Sequence, residues 1–168
     1  MTEHSFSLRP LMEKDASRMV EMMHDPQTTC YLQIGGPDYA LDTALGFICR
    51  SSDESQILHR AVVDEADVYQ GSVSLKHIDH EKKEAEYAIS MHPQAQGKGA
   101  AKAASAAILE LAWSLGLKRV YLNVLQRNER ANRFYQKFGF RYTHTTEMAF
   151  RGRAETLHWY ECKREEGI

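Results

Sequence analysis

The sequence predicts an α/β fold, a mixed sheet with helices on both faces. Apolar residues recur at helical spacing in some segments and at a spacing of two in others. Their order is β-α-α-β-β-β-α-β-α-β-β, which places helices on both sides of one sheet. Composition agrees: 43% hydrophobic and 26% charged residues are ordinary for a globular domain. At 168 residues the chain is expected to form a single domain, 1–168, with a core large enough to need no staples.

Phe6 to Arg9 alternates and reads as the first strand. Glu13 to His24 follows as a helix, with Met12, Ala16, Met19, Val20 and Met23 at helical spacing and a stop at Pro26. Its methionines suit an irregular core. Asp25 to Pro37 reads as irregular, and Tyr39 to Cys49 as a second helix with Leu41, Ala44, Leu45 and Ile48 on one face. The period then becomes two. Leu58 to Val63, Gly71 to Ile78 and Ala85 to Met91 form an expected meander. Lys98 to Leu115 reads as a long helix packing through Ala101, Ala104, Ile108, Leu111 and Leu115, and Gly116 suits its C-terminal stop. Arg119 to Leu125 is the next strand, and Asn128 an N-cap. The helix after it aligns Ala131, Phe134, Tyr135 and Phe138 and ends at Gly139. Phe140 to Met148 and Glu155 to Cys162 close the chain as a hairpin around Arg151-Gly152-Arg153.

Lys+Arg 21 against Asp+Glu 23 leaves a net charge of −2, which argues against a nucleic-acid partner. Cys30, Cys49 and Cys162 are scattered and odd in number, as expected of reduced thiols in a cytoplasmic chain. No His/Cys cluster has zinc spacing, and His77 and His80 suit a surface hairpin, so no metal is expected. Met1 to Pro10 lacks the apolar run of a secretory signal. Ala100 to Leu117 carries Lys102, Glu110 and Ser114 and is short for a bilayer span, so no membrane association is expected.

The chemistry concentrates in Gln96-Gly97-Lys98-Gly99-Ala100-Ala101, between a strand and a helix. Glycines at such a turn let the backbone approach a ligand. The free N–H groups and the dipole of the helix start then favour an anion, phosphate above all. A Walker A loop is excluded because Ala100 follows Gly99 where Lys would be needed. A dinucleotide fingerprint is excluded because no third glycine follows and the preceding meander is antiparallel.

Gln96-x-x-Gly99-x-Ala101 resembles the Q/R-x-x-G-x-G/A signature of the GCN5-related N-acetyltransferases (GNAT). Ile89-Ser90-Met91-His92-Pro93 before it, Leu122-Asn123-Val124, Asn128, Ala131, Phe134-Tyr135, Lys137 and Gly139-Phe140 after it, and the opening Leu8-Arg9-Pro10-Leu11 with Asp15-Ala16 resemble the same family. The resemblance implies the GNAT acyl-CoA N-acyltransferase fold and acetyl-CoA as acyl donor. It places the pyrophosphate on Gly97, Lys98, Gly99, Ala100, Ala101 and Lys102. It sets the pantetheine arm along Ile89, Ser90 and Met91 with Asn128 beside it, on a strand splayed from the next. It makes Tyr135 the general acid that protonates the leaving thiolate, and Glu86 a base acting through water. Ala101 stands where glycine is commoner, a change the family tolerates.

Residues alone leave Tyr135 as a core phenol and Glu86 as a strand charge, with Glu84, Glu86 and Ala88 on one face and Ala85, Tyr87 and Ile89 on the other. The expected enzyme is an N-acetyltransferase acting on a primary amine of a small molecule (polyamine or amino sugar) or a protein N-terminus, with a homodimer left open. The alternatives are a CoA-binding regulatory or scaffold protein without turnover and a phosphate- or nucleotide-binding module. Asp25 to Tyr39 and the hairpin near Met148 to Glu155 are expected to shape the acceptor site; Asp38 and Asp42 there do not select a substrate.

Overall fold

The structure is a computed structural model that describes residues 5–32 and 35–165. Its strands are β1 (Ser7–Arg9), β2 (Leu58–Val63), β3 (Tyr69–Asp79), β4 (Glu84–Met91), β5 (Arg119–Leu125), β6 (Arg141–Phe150) and β7 (Arg153–Lys163). Its α-helices are α1 (Ala16–His24), α2 (Pro26–Thr29), α3 (Leu41–Arg50), α4 (Ala100–Ser114) and α5 (Glu129–Phe138). All described strands join one mixed sheet in the order β1-β2-β3-β4-β5-β7-β6. Only β4 and β5 pair in parallel.

Two helical layers cover the sheet. On one face α4 sets Ala104, Ile108 and Ala112 against Val73, Leu75, Val120 and Leu122, all at most 1% exposed. On the other face α1 and α3 bury Met19, Met22, Met23, Ala44 and Ile48 over Ala61, Val63 and Tyr69. The unbranched methionines fill the gap between two short helices and a twisted strand surface. The Leu8-Arg9-Pro10 opening has a local reason: Asp15, 1% exposed, takes Arg9 at 2.7 Å and the Met12 N–H at 2.8 Å.

Three expectations are corrected. The segment after Asp25 is not irregular throughout. Pro26–Thr29 forms one helical turn, capped by Asp25, whose carboxylate accepts from the Thr28 hydroxyl at 2.8 Å. A single turn is too short to show a period, and Asp-Pro was its only signal. The packed face of α4 is rotated: Ala100, Ala104, Ser105, Ile108, Leu109 and Ala112 are buried, while Leu115 is 42% exposed. A helix this rich in alanine presents apolar surface all round, so spacing does not orient it. Met12 is 46% exposed, because it precedes the first helical turn. On α5 the expected stripe of Ala131, Phe134, Tyr135 and Phe138 packs against the core, and buried Asn132 adds a polar member beside it. It donates to the Leu125 and Asn128 carbonyls and accepts from the Tyr160 hydroxyl at 2.7 Å.

Candidate active site

The sheet divides where β4 and β5 meet. Their ladder has three rungs, Glu84–Arg119, Ala85–Val120 and Glu86–Tyr121. Beyond Glu86, β4 stays with β3 while β5 stays with β7. The His92 N–H bonds the Gln70 carbonyl at 2.7 Å, so Met91–Gly71 is a non-hydrogen-bonded pair of the β3–β4 ladder. By alternation, Ile89 and Met91 turn their N–H and C=O groups toward the side that β5 has left. A groove with an unpaired backbone edge results.

Gly71 is what lets β4 lie so close to β3 here. A Cβ on it would meet the Ser90 carbonyl at 2.4 Å and Met91 Cα at 3.0 Å. After Met91 the chain turns at Pro93–Ala95 and enters α4. His92, 4% exposed, fixes that turn: one ring nitrogen accepts from the Gln94 N–H at 3.2 Å and the other meets Glu21 at 2.9 Å.

Gly97 and Gly99 hold φ of +78° and +82°, in the left-handed region. A Cβ on either would point into open space. No side chain caps α4, whose first turn closes by Ala103 N–H on the Gly99 carbonyl at 3.1 Å. The N–H groups of Ala100, Ala101 and Lys102 are therefore free of intrahelical partners and stand at the positive end of the dipole. Arg130 of α5 holds the Gln96 side chain at 2.7 Å. These features fit a pyrophosphate: donors, dipole and space coincide.

A cleft of about 1450 Å³ runs through this division. Ile89, Ser90, Met91, Gly97, Gly99, Ala100, Ala101, Lys102 and Asn128 line it, and so do Glu86 and Tyr135. Lys98 is exposed and does not line it. Asn128 also caps α5, accepting from the Ala131 N–H at 3.3 Å.

Tyr135 is 8% exposed and makes edge contacts with Phe134, Phe140 and Tyr87 at centroid distances of 5.4, 5.7 and 5.9 Å. Burial pushes its phenol well above the ordinary value, offset in part by the Tyr87 hydroxyl. Burial does the same to Tyr87, whose hydroxyl shares a 2.7 Å bond with Ser105. Both phenols stay protonated at neutral pH. Glu86 lies on the opposite face of β4 from Tyr87, with its side chain 12% exposed. It accepts from Asn123 at 2.9 Å and stands 3.4 Å from His77. Glu84, on the same face of β4, is ion-paired to Arg119 at 3.0 Å.

Four lining residues with no assigned role in the sequence reading belong to this wall: Tyr87, Asn123, His59 and Lys76. Asn123 was visible as one polar residue inside an apolar strand. His59 bonds Ser74 at 2.5 Å, and burial, then Lys76, hold its pKa below the usual imidazole value. Gln27, Thr28, Cys30, Tyr31, Leu32, Gly35, Asp38 and Tyr39 close one end of the cleft, and Asp42 does not line it. Arginines from the far side of the sheet strap this segment. Arg127 donates to the Cys30 carbonyl at 3.0 Å, and Arg151 to the Leu32 carbonyl at 2.8 Å. Met148, Phe150 and Leu157 of the β6–β7 hairpin complete the wall. Among the described residues no group of three or more His, Cys, Asp or Glu could hold a metal, and no helix is long and apolar enough to cross a membrane.

The profile of the acetyltransferase (GNAT) domain matches residues 6–141. A curated relative, spermidine N(1)-acetyltransferase of Escherichia coli K12, is 31% identical over 138 residues, which cover 82% of this chain and 73% of that protein. A solved structure of spermidine N-acetyltransferase from Vibrio cholerae, in complex with CoA and spermine, superposes with a TM-score of 0.83 at 22% identity, covering 94% and 95% of the two chains. An acetyltransferase of the GNAT family from Bacillus anthracis reaches a TM-score of 0.84 at 16% identity over 96% of each chain.

Proposed function

The chain belongs to the GNAT family and is an acetyl-CoA-dependent N-acetyltransferase of small-molecule amines, and we propose that the division between β4 and β5 is where it works. One observation carries this reading. An uncapped helix start with two positive-φ glycines and the unpaired edge of β4 open onto the same cleft. Acetyl-CoA supplies the activated acyl group as its thioester. The N–H groups from Ala100 to Lys102 hold the pyrophosphate, with Gly97 and Gly99 giving it room. Ile89 and Met91 pair their free backbone groups with the pantetheine arm, as a further strand would, and one N–H faces the thioester oxygen. Asn128 sits beside the arm.

Transfer forms an N–C bond and breaks a C–S bond; the nitrogen loses two protons in all, one before attack and one as the tetrahedral intermediate collapses, while the sulfur gains one and one is released to solvent. An alkyl ammonium near pKa 10 must lose the first of these before it attacks. Glu86 accepts it through water; Asn123 and β4 hold its carboxylate in place. Tyr135 faces the sulfur. Its raised pKa lies above that of a thiol, near 8.5. The phenol therefore stabilises the departing sulfur chiefly as a hydrogen-bond donor, and full proton transfer follows from solvent. The chain reads as one domain, supported by the single sheet of all described strands. The exposed thiols of Cys30 and Cys49 suit the reducing cytoplasm. The curated relatives make spermidine the first acceptor to assay.

Thermal shift tests the cofactor assignment. Acetyl-CoA at a hundredfold excess over Kd is expected to stabilise the wild type by about 2.7 kcal/mol. Gly99→Val fills the open space and strains a left-handed position, and is expected to lose that shift while remaining folded. No shift in the wild type with acetyl-CoA or CoA at millimolar levels refutes the assignment.

A further inference from the structure

The acceptor half of the cleft carries a charge pattern that the roles above leave unused. Among the described lining residues its carboxylates are Glu86 and Asp38, and its cations are Lys76 and Arg50. Glu86 is engaged by Asn123 and faced by His77. Lys76 and Arg50 make no hydrogen bond or ion pair with any described residue. Arg50 is exposed at the rim, where solvent serves it. Lys76 is half-buried in β3, directly opposite Glu86 across the β3–β4 ladder. Lys76 lines the cleft with no hydrogen-bond or ion-pair partner among the described residues, so its ammonium is available to an anionic group of a ligand. His59, on the neighbouring strand, is held neutral by burial and by Lys76, so it adds no counter-charge.

This lining is poorly matched to a polyamine. Several positive charges would meet a wall whose own charges cancel. It is well matched to a molecule that brings both signs. Residues opposite each other on adjacent antiparallel strands have Cβ atoms about 5 Å apart. An ammonium and a carboxylate on one carbon are the arrangement that can meet both side chains at that spacing. Phe47 and Ile57 add apolar surface to a wall that also carries Thr43, Ser72 and Ser74.

We propose that the acceptor is a zwitterionic amine of the α-amino acid class with an apolar side chain. Its carboxylate is taken by Lys76, its amine is directed toward Glu86, and its side chain lies against Phe47 and Ile57. The inference rests on the acyl-transfer reading of the cleft. The bonds made and broken are those already given; the carboxylate only positions the amine.

Thiol release from acetyl-CoA is measured with L-leucine, L-methionine and L-phenylalanine, with the amines obtained by decarboxylating each, and with spermidine. At least one amino acid is expected to exceed its decarboxylated amine by about tenfold or more in kcat/KM. Lys76→Met is expected to erase that preference through KM, with acetyl-CoA affinity unchanged, and Lys76→Arg to restore part of it. Turnover of spermidine or of the decarboxylated amines as fast as the amino acids overturns the inference and leaves acyl transfer standing. A preference that survives in Lys76→Met overturns it too. Turnover of no amine, with acetyl-CoA bound, overturns both.

Discussion

Tyr135→Phe removes one oxygen and leaves the packing in place. The ring keeps its edge contacts with Phe134, Phe140 and Tyr87 at 5.4, 5.7 and 5.9 Å. Tyr87 is not orphaned, because Ser105 still shares its hydroxyl bond at 2.7 Å. The stability cost is therefore one neutral hydrogen bond, about 0.5–1.5 kcal/mol. For a chain of this length that shifts Tm by roughly 1–6 °C. The catalytic cost is larger if the phenol faces the departing sulfur. General-acid assistance is worth about 10²–10⁴-fold. A donor whose pKa is raised by burial shares its proton without releasing it, so the lower part of that range is expected. The variant should lose at least about tenfold in kcat, about 1.4 kcal/mol of transition-state stabilisation, with acetyl-CoA affinity within a few-fold of wild type. Single-turnover acetyl transfer isolates the chemical step, and thermal melting reports folding alongside. Wild-type single-turnover rates in a folded variant refute the role and leave Tyr135 as core.

Glu86→Gln keeps the shape that Asn123 grips; it should lower the single-turnover rate of acetyl transfer by about 10²-fold with acetyl-CoA affinity unchanged, and a wild-type rate contradicts the base role. Gly71→Ala should cost about 1–3 kcal/mol and weaken acetyl-CoA binding together, because the new methyl drives into the Ser90 carbonyl and shifts the β4 edge; wild-type Tm and Kd contradict the close approach. His59 has a folded pKa below 6.5, so its contribution is complete above that pH and declines as pH falls, when the unfolded chain takes the proton first. His59→Gln should flatten that part of the stability–pH curve, measured by denaturant melts, and an identical curve contradicts the assignment.

Much of the architecture was legible because period is a local property. β2 and β5 run where alternation set them, and Asn128 caps α5 as its position suggested. The glycine turn was legible for the same reason, since a strand, two glycines and a helix are adjacent in sequence. What escaped depends on partners far apart in the chain. The parting of β4 from β5 after three rungs, implied by the family resemblance, is announced by no residue of β4 itself. Lys76 lies in the strand expected over Gly71 to Ile78, and only its position opposite Glu86 gives it meaning. The arginine straps from Arg127 and Arg151 cross about a hundred residues or more and leave no local trace. Alanine in α4 hid the packed face by being acceptable on every side.

The most direct measurement combines thiol release with mass analysis of the amine. Wild-type protein is incubated with acetyl-CoA and a panel of primary amines that includes spermidine, amino sugars, amino acids and short peptides. The expected result is free CoA and acetylated amine in one-to-one ratio, for a restricted subset of the panel. Protein that binds acetyl-CoA, yet yields neither product above the enzyme-free rate with any amine, would contradict catalysis at the division between β4 and β5.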